Sequence, residues 1–367
     1  MRVARSAAEL DDLRPAWGEI AWEREEAEID YLLARARLRD EIEAPFGLLT
    51  GEGGGIAGRV EVRRLPARIG YRTVVAPKLR ILRVVDGGVV GRDAVAALHS
   101  VVHEFDAIAF PPLTLGSELE LAARGLGGPL QRQPFAPVTP RRRLRLPATY
   151  EEFVASRSSN TRWRIHRDSR RVPEALGDHT IEVIRTPDGV DELFRDAERV
   201  AARTYQRAIG AGFADTPEQR ELARLGLEHG WVRAYLLYAR GEPVAFWVCS
   251  TYRGTLLIRQ TGFDSAYAAQ RVGVFLLLRV IEDAIADPAL HVVDFGPGDA
   301  AYKQQFSSES GWEREVVVFA PTLRGIGANA VRTPVLGSAR LARRLLDATE
   351  LTDRVRSGWR ARLRRSS

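Results

Sequence analysis

The sequence predicts a mixed α/β (α+β) protein built from two domains and a tail, and three observations carry that expectation. The chain has 367 residues, and a domain takes roughly 100–200 residues. Pro134, Pro137 and Pro140 cluster in one short stretch, as a linker would. From residue 180 onward, apolar runs of strand length and amphipathic runs of helix length follow in the order β-α-α-β-β-β-α-β-α-β, an antiparallel meander that passes into a β-α-β crossover. These signals set the expected boundaries at 1–135, 136–325 and a tail of 326–367.

In the first domain, the charged amphipathic stretch from Ala8 to Arg39 predicts a helix. PFGLLTGEGGGIAGRVEVRRL predicts two strands about a Gly-rich turn, with alternation in Arg59-Val60-Glu61-Val62. Residues 93–105 read as helical, DAIAFPPL as a buried strand ended by two prolines, and ELELAARGL as a helix stopped by glycine. In the second domain, Thr149 and Glu152 form a capping box for a helix to about Arg171. TIEVIRT reads as a strand, and residues 189–209 as a helix with Val190, Leu193, Phe194, Ala197 and Val200 on one face. Pro217 opens the next helix. VRAYLLYAR, PVAFWVCS and TLLIRQTGF form the meander, with turns at Gly241-Glu242 and Arg253-Gly254. An apolar helix at 271–286 leads to the strand HVVDF, a short helix at 299–306 and a last strand, REVVVFA. A right-handed crossover makes the strands at 255–263 and 291–295 parallel neighbours.

Composition excludes several classes. Hydrophobic residues make up 45% of the chain, enough for ordinary cores. The single Cys249 excludes an internal disulfide framework and a Cys-based zinc site. His99 and His103 stand four apart, but Ser100 after His99 breaks the HExxH pattern. The opening MRVARSAAELDDLRPAW has no apolar signal core, and no run approaches ~18 apolar residues, so a cytoplasmic, soluble chain is expected. Residues 331–367 hold ten arginines and three acids, while the whole chain has a formal net charge of +6. The basic character therefore belongs to the tail, and no DNA binding by the folded body is expected. Leu341, Leu345, Ala348, Val355, Trp359 and Leu363 recur at helical spacing among the tail arginines. That pattern suits an amphipathic helix on an anionic membrane surface or a partner protein, and a loose basic end suits the composition equally.

Four strings imitate a protein kinase: Gly53 to Val60 as a Gly-rich loop, Val75-Ala76-Pro77-Lys78, His166-Arg167-Asp168 and Asp294-Phe295-Gly296. The mechanics exclude it. Pro173 stands where the catalytic loop needs a metal-binding Asn, and the last two strings are too far apart to share one metal site. Neither lysine follows a glycine, which excludes a P-loop.

The chemistry concentrates between residues 263 and 306. Gln270-Arg271-Val272-Gly273-Val274 opens the apolar helix as Q-x-x-G. Unpaired amides at a helix start, with a glycine that lets them approach closely, suit a diphosphate, and Arg271 suits a further phosphate contact. The plain alternative is a helix start packed with small residues. HVVDFGPGDAAYKQQF then places Asp294 at a strand end, Gly296 and Gly298 in a sharp exit, and Asp299 as a cap of the next helix. Asp294 reads as a general base, an orienter or a ligand of turn amides, and Tyr302 as an acid or a packed aromatic. Only two lysines, Lys78 and Lys303, stand among 54 basic residues, so an ammonium is expected to matter where one is kept. Arg157, Arg162, Arg164, Arg167, Arg170 and Arg171 surround Trp163 on one helix, either a solvated basic face or a platform for an acceptor or phosphate.

The element order and the Q-x-x-G start resemble the GNAT superfamily of N-acetyltransferases. SRSSNTRWRIHRDSRR, RVG and DFGPGDAAYKQQF resemble, more finely, its cellulose-biosynthesis-type group over most of the chain. The resemblance implies tandem GNAT-like halves, each a mixed, mostly antiparallel sheet flanked by helices, with a degenerate first half. It implies acetyl-CoA or another acyl-CoA as co-substrate at Gln270 to Val274, with Phe275 in the last, normally small, position of the loop. It implies direct attack on the thioester by an amine or hydroxyl, with Asp294, Tyr302 and Lys303 as catalytic candidates and no metal. The implied acceptor is an amino sugar, a polysaccharide or an envelope precursor. Two rival readings stay open: an aminoacyl transferase of the FemABX type using aminoacyl-tRNA, and a non-catalytic scaffold on the same fold.

Overall fold

Strand pairing in the computed structural model, which describes residues 1–70, 72–204 and 212–348, follows the expected period-two patterning. The chain divides into two compact units, residues 1–138 with 312–367, and residues 139–311.

The first unit carries β1 (Arg2–Ala4), β2 (Ile42–Leu49), β3 (Gly55–Arg64), the hairpin β4 (Ala67–Ile69) and β5 (Arg72–Val75), β6 (Lys78–Val90) and β7 (Ala107–Thr114). Its main sheet runs β1-β2-β3-β6-β7 and is completed by β14 (Glu309–Phe319), the last strand of the chain. Every pairing is antiparallel except β6 with β7, where Ile81–Arg83 lies parallel to Ala107–Ala109. One face buries Phe46, Val60, Leu82, Ile108, Phe110, Val316 and Val318, covered by the helices Arg92–Ala97 and Glu118–Gly125. At one end of the other face, Ala57 and Val85 pack with Trp17 and Trp22. At its other end, Ile81, Ala109, Val317 and Phe319 do so with Ala328 of the helix Leu323–Ala348.

Three elements here differ from expectation for local reasons. The stretch from Ala8 to Arg39 is broken into Ala7–Asp12, Arg14–Trp17, a 3-10 turn at Glu25–Ala27 and Ile29–Leu38; no single helix could aim both Trp17 and Trp22 into one cluster while Trp17 donates to the carbonyl of Ala27. β7 runs through Pro111 and Pro112 because its pairing with β6 has ended at Ala109 and its pairing with β14 carries a bulge there. REVVVFA was expected in the second domain; it pairs with β7 instead, Val316 opposite Phe110 and Phe319 opposite Ala107, where both faces of the strand are buried.

The second unit repeats the pattern. β8 (Val138–Arg145), β9 (His179–Ile184), β10 (Val232–Ala239), β11 (Glu242–Tyr252), β12 (Thr255–Phe263) and β13 (Val292–Pro297) form the order β9-β10-β11-β12-β13-β8. All pairings are antiparallel except the parallel β12 and β13, as the crossover rule required. Each unit is thus a mostly antiparallel sheet with one parallel pair in the same place, flanked by helices: two halves of like topology in tandem. The expected long helix from Thr149 is two, Tyr150–Ala155 and Ser159–Leu176, each capped by its own hydroxyl, Thr149 and Ser158. The helix expected at 189–209 is described as Val190–Ala202, and residues 205–211 lie outside the described residues.

The helix Val272–Ala286 fills one face of this sheet with Val272, Phe275, Leu276, Val280 and Ile281. Alternation sends Tyr235 and Leu237 to that face and Leu236 and Tyr238 to the other, where Val190, Leu193, Phe194, Ala197 and Val200 meet them. A charge cluster ties the helix to β10. Arg233 binds Asp283 at 3.0 Å and Asp287 at 2.6 Å, and the Tyr235 hydroxyl donates to Asp283 at 2.6 Å. Burial is the first cause that raises the Tyr235 pKa.

In the tail, Leu341 stands exposed on Leu323–Ala348. The side chains of Leu345 and Ala348, and all of Val355, Trp359 and Leu363, lie outside the described residues. Among the described residues no helix is long and apolar enough to cross a membrane.

The placement of β14 is testable. Phe319→Ala should lower stability by about 3–5 kcal/mol in chemical denaturation, because Phe319 is fully buried. A loss below 1 kcal/mol would contradict this packing.

Candidate functional site

β12 and β13 part early. Their last paired residues are Leu257 and Asp294, yet β12 runs on to Phe263 against β11, and β13 runs on to Pro297 against β8. The side of β12 that faced β13 is left open from there on. Gly296 (φ 70°) and Gly298 (φ 98°) make the exit, in a backbone region that L side chains rarely enter.

Asp294 sits at the parting and is completely buried. Arg141 reaches both carboxylate oxygens, with Nε at 3.0 and 2.9 Å and Nη2 at 2.8 Å. Arg143 Nε stands 3.2 Å away, and the Gly296 amide donates at 2.9 Å. Its oxygens are occupied by these donors and shielded from solvent, which favours an anchoring role over that of a base. That role is closest to the turn-amide alternative.

Lys303 bonds the same exit turn. Its ammonium is nearly buried and donates to the carbonyls of Pro297 at 2.6 Å and Gly296 at 3.3 Å. Burial is the first cause that pulls its pKa below the usual lysine value. The residue thus straps the exit turn. Asp299 does not cap the next helix, whose N-cap position is Ala300; its carboxylate accepts from Arg142 at 2.6 Å.

The start of the helix Val272–Ala286 is shaped by what precedes it. The buried Asp264 accepts from the Ala266 amide at 2.9 Å and from Arg203 at 3.1 Å, which closes the 3-10 turn Ser265–Gln270. Arg271 then takes a left-handed conformation, φ 59° and ψ 34°. A non-glycine residue there costs on the order of 1–2 kcal/mol, and such strain concentrates at functional turns. The amides of Val272 and Gly273 come first in the helix and have no carbonyl four residues back to bond. A Cβ on Gly273 would lie 3.2 Å from the Phe263 ring, a tight contact that glycine avoids. Phe275 does not obstruct the turn: its side chain is buried in the core, edge-on to His179.

The contacts of two residues escaped the sequence reading. Trp247 on β11 donates from Nε1 to the Gly273 carbonyl at 3.0 Å and meets the Tyr302 ring edge-to-face at 5.6 Å. It links the helix start to Tyr302, which also packs on Phe295. Asp168 is buried and approaches Arg271 Nε at 3.4 Å while it accepts from Arg167 at 2.9 and 2.6 Å. Only distance in the sequence hid these two. The structure therefore gathers Gln270, Arg271, Val272, Gly273 and Val274 on one turn, links it to Tyr302 through Trp247, and assigns Asp294 and Lys303 to the exit turn behind. Among the described residues no group of three or more His, Cys, Asp or Glu is placed to hold a metal ion.

Residues 159–304 match the family model described as an acetyltransferase (GNAT) domain. The match covers less than half of the chain, includes Gln270 to Val274, Asp294, Tyr302 and Lys303, and supports an acyltransferase. No curated protein matches the sequence. Among solved structures, FemX is similar at TM-score 0.59 and 10% identity, over 87% of this chain and 97% of that one. A conserved protein of unknown function from Bacteroides thetaiotaomicron is similar at 0.51 and 10%, over 85% and 97%. The C-terminal domain of a candidate lysylphosphatidylglycerol synthetase from Agrobacterium fabrum is similar at 0.51 and 12%, over 93% and 96%. At these identities the likeness concerns the fold.

Asp294→Asn separates anchor from base. It leaves Arg141 buried beside a neutral amide, so stability should fall by about 3–5 kcal/mol in denaturant titration, while folded protein keeps its turnover. A variant of parental stability with no turnover would return Asp294 to the base role.

Proposed function

We propose that this acyltransferase takes acetyl-CoA, or a short acyl-CoA, and transfers the acyl group to an amine or hydroxyl by direct attack on the thioester. The observation that carries the reading is the conjunction of two features in one place: a strained helix start with open amides at Val272 and Gly273, and two strands that part beside it. The amides suit the donor's diphosphate. The parting suits its pantetheine arm, which would run toward Tyr302.

The bonds balance as follows. The acceptor nitrogen or oxygen joins the thioester carbonyl carbon, and the C–S bond breaks. The acceptor proton is released, and the departing sulfur takes a proton from the Tyr302 hydroxyl, which solvent restores. No enzyme-bound acyl group is needed, because positioning supplies the main advantage. The finer resemblance to cellulose-biosynthesis-type acetyltransferases supports an amino sugar, a polysaccharide or an envelope precursor as acceptor. The exposed Trp163, with the Arg167 guanidinium 4.9 Å from its ring centre, suits such a polar, ring-shaped partner.

Calorimetric titration with acetyl-CoA tests the donor. The parent protein should bind, and Gly273→Glu should not, since the added carboxylate would stand where a diphosphate is expected. Failure of the parent to bind acetyl-CoA or free CoA would sink the reading and favour an aminoacyl-tRNA donor or a scaffold. Tyr302→Phe should keep donor affinity and lower kcat by about 10²-fold. An unchanged kcat at every pH would remove Tyr302 as the acid.

A further inference from the structure

We infer that the cleft between the helix Ser159–Leu176 and the turn Ala269–Arg271 is a second anion subsite, which holds the phosphate monoester of the donor nucleotide and selects coenzyme A over its dephosphorylated form. The inference rests on the donor reading above and adds to it a basis for discrimination.

The cleft has a volume of about 540 Å³, and Arg167, Asp168, Arg171, Glu174, Gln270 and Arg271 contribute its polar lining. Its charge is not balanced internally. Asp168 is committed, because both of its oxygens already face guanidinium groups, those of Arg167 and Arg271. Glu174 is exposed, and neither it nor Arg171 has an ion-pair partner among the described residues. The three arginines of the lining outnumber its two carboxylates, so the cleft keeps one positive charge in excess, and Arg171 stands beside two arginines that one buried carboxylate holds in place.

That shared carboxylate acts as a positioner. It fixes one edge of each guanidinium and leaves the other edges to donate, and the Trp163 ring holds Arg167 from its face. Planar, pre-oriented forks of this kind match phosphate oxygens. A second group in the cleft points to the rest of the ligand. The Oε1 of Gln270 is buried and has no hydrogen-bond partner. A buried acceptor left unpaired costs stability unless a donor arrives. Turned into the cleft, this acceptor would meet a ribose hydroxyl or an adenine amino group, which inorganic phosphate lacks. The cleft also shares Gln270 and Arg271 with the helix start, so one nucleotide can place its diphosphate on the amides of Val272 and Gly273 and its monoester on Arg171.

The test compares coenzyme A with dephospho-coenzyme A, titrated into the full chain and into Arg171→Gln. Arg171 is exposed, so the substitution spares the fold. The parent should bind coenzyme A at least about tenfold more tightly than the dephosphorylated form, the worth of one charge-assisted contact. In Arg171→Gln that ratio should fall to near unity through loss of coenzyme A affinity alone. Equal affinities in the parent, or a ratio that survives the substitution, would overturn the subsite and leave the donor site standing. Binding of neither ligand by the parent would overturn the donor reading, and this inference with it.

Discussion

The buried carboxylate of Asp294 is the constraint on which the rest of the second unit depends. It stands at the last residue pair that β12 and β13 share, and it takes hydrogen bonds from Arg141, Arg143 and the amide of Gly296. Those bonds bind β13 to β8 and fix the first step of the exit turn. The strands can therefore part without either becoming a frayed edge. A charge taken out of water survives only when fully paired, and here the pairing is what directs the backbone. Lys303 completes the device from the other side by bonding the carbonyls of Gly296 and Pro297. The opening beside the helix start is thus held by an internal ionic frame, and the surface that faces it needs no charge of its own from these residues.

The same separation of duties explains the helix start. Asp264 closes the turn before it, Asp168 holds the Arg271 side chain, and Trp247 holds the Gly273 carbonyl. The strain of a left-handed Arg271 is carried by these contacts. What they leave unpaired, the first amides of Val272–Ala286, is the chemically open part of the turn.

Much of this was legible in the sequence. Alternation gave β9 to β13 nearly to the residue, the crossover rule gave the parallel pair, and Gly296 and Gly298 marked a turn that needs positive φ. Thr149 caps a helix as expected, though a shorter one, and Pro217 opens the helix it was expected to open. The losses share one cause, which is contact between residues distant in the chain. Nothing near Asp294 in the sequence announces that Arg141 and Arg143 meet it from the neighbouring strand. Nothing near Lys303 announces that its ammonium is buried over two carbonyls. REVVVFA has the pattern of any core strand, and nothing local says which sheet it joins. The Phe275 side chain looked misplaced in the loop because sequence alone does not say that it turns into the core.

Hydrogen–deuterium exchange at the amides of Val272 to Leu276, with and without saturating acetyl-CoA, tests the central claim most directly. If these amides carry the donor's diphosphate, their exchange slows on binding, and slows more than that of the distant helix Val190–Ala202. Saturating donor with no added protection at Val272 and Gly273 would contradict the account and move the donor site elsewhere.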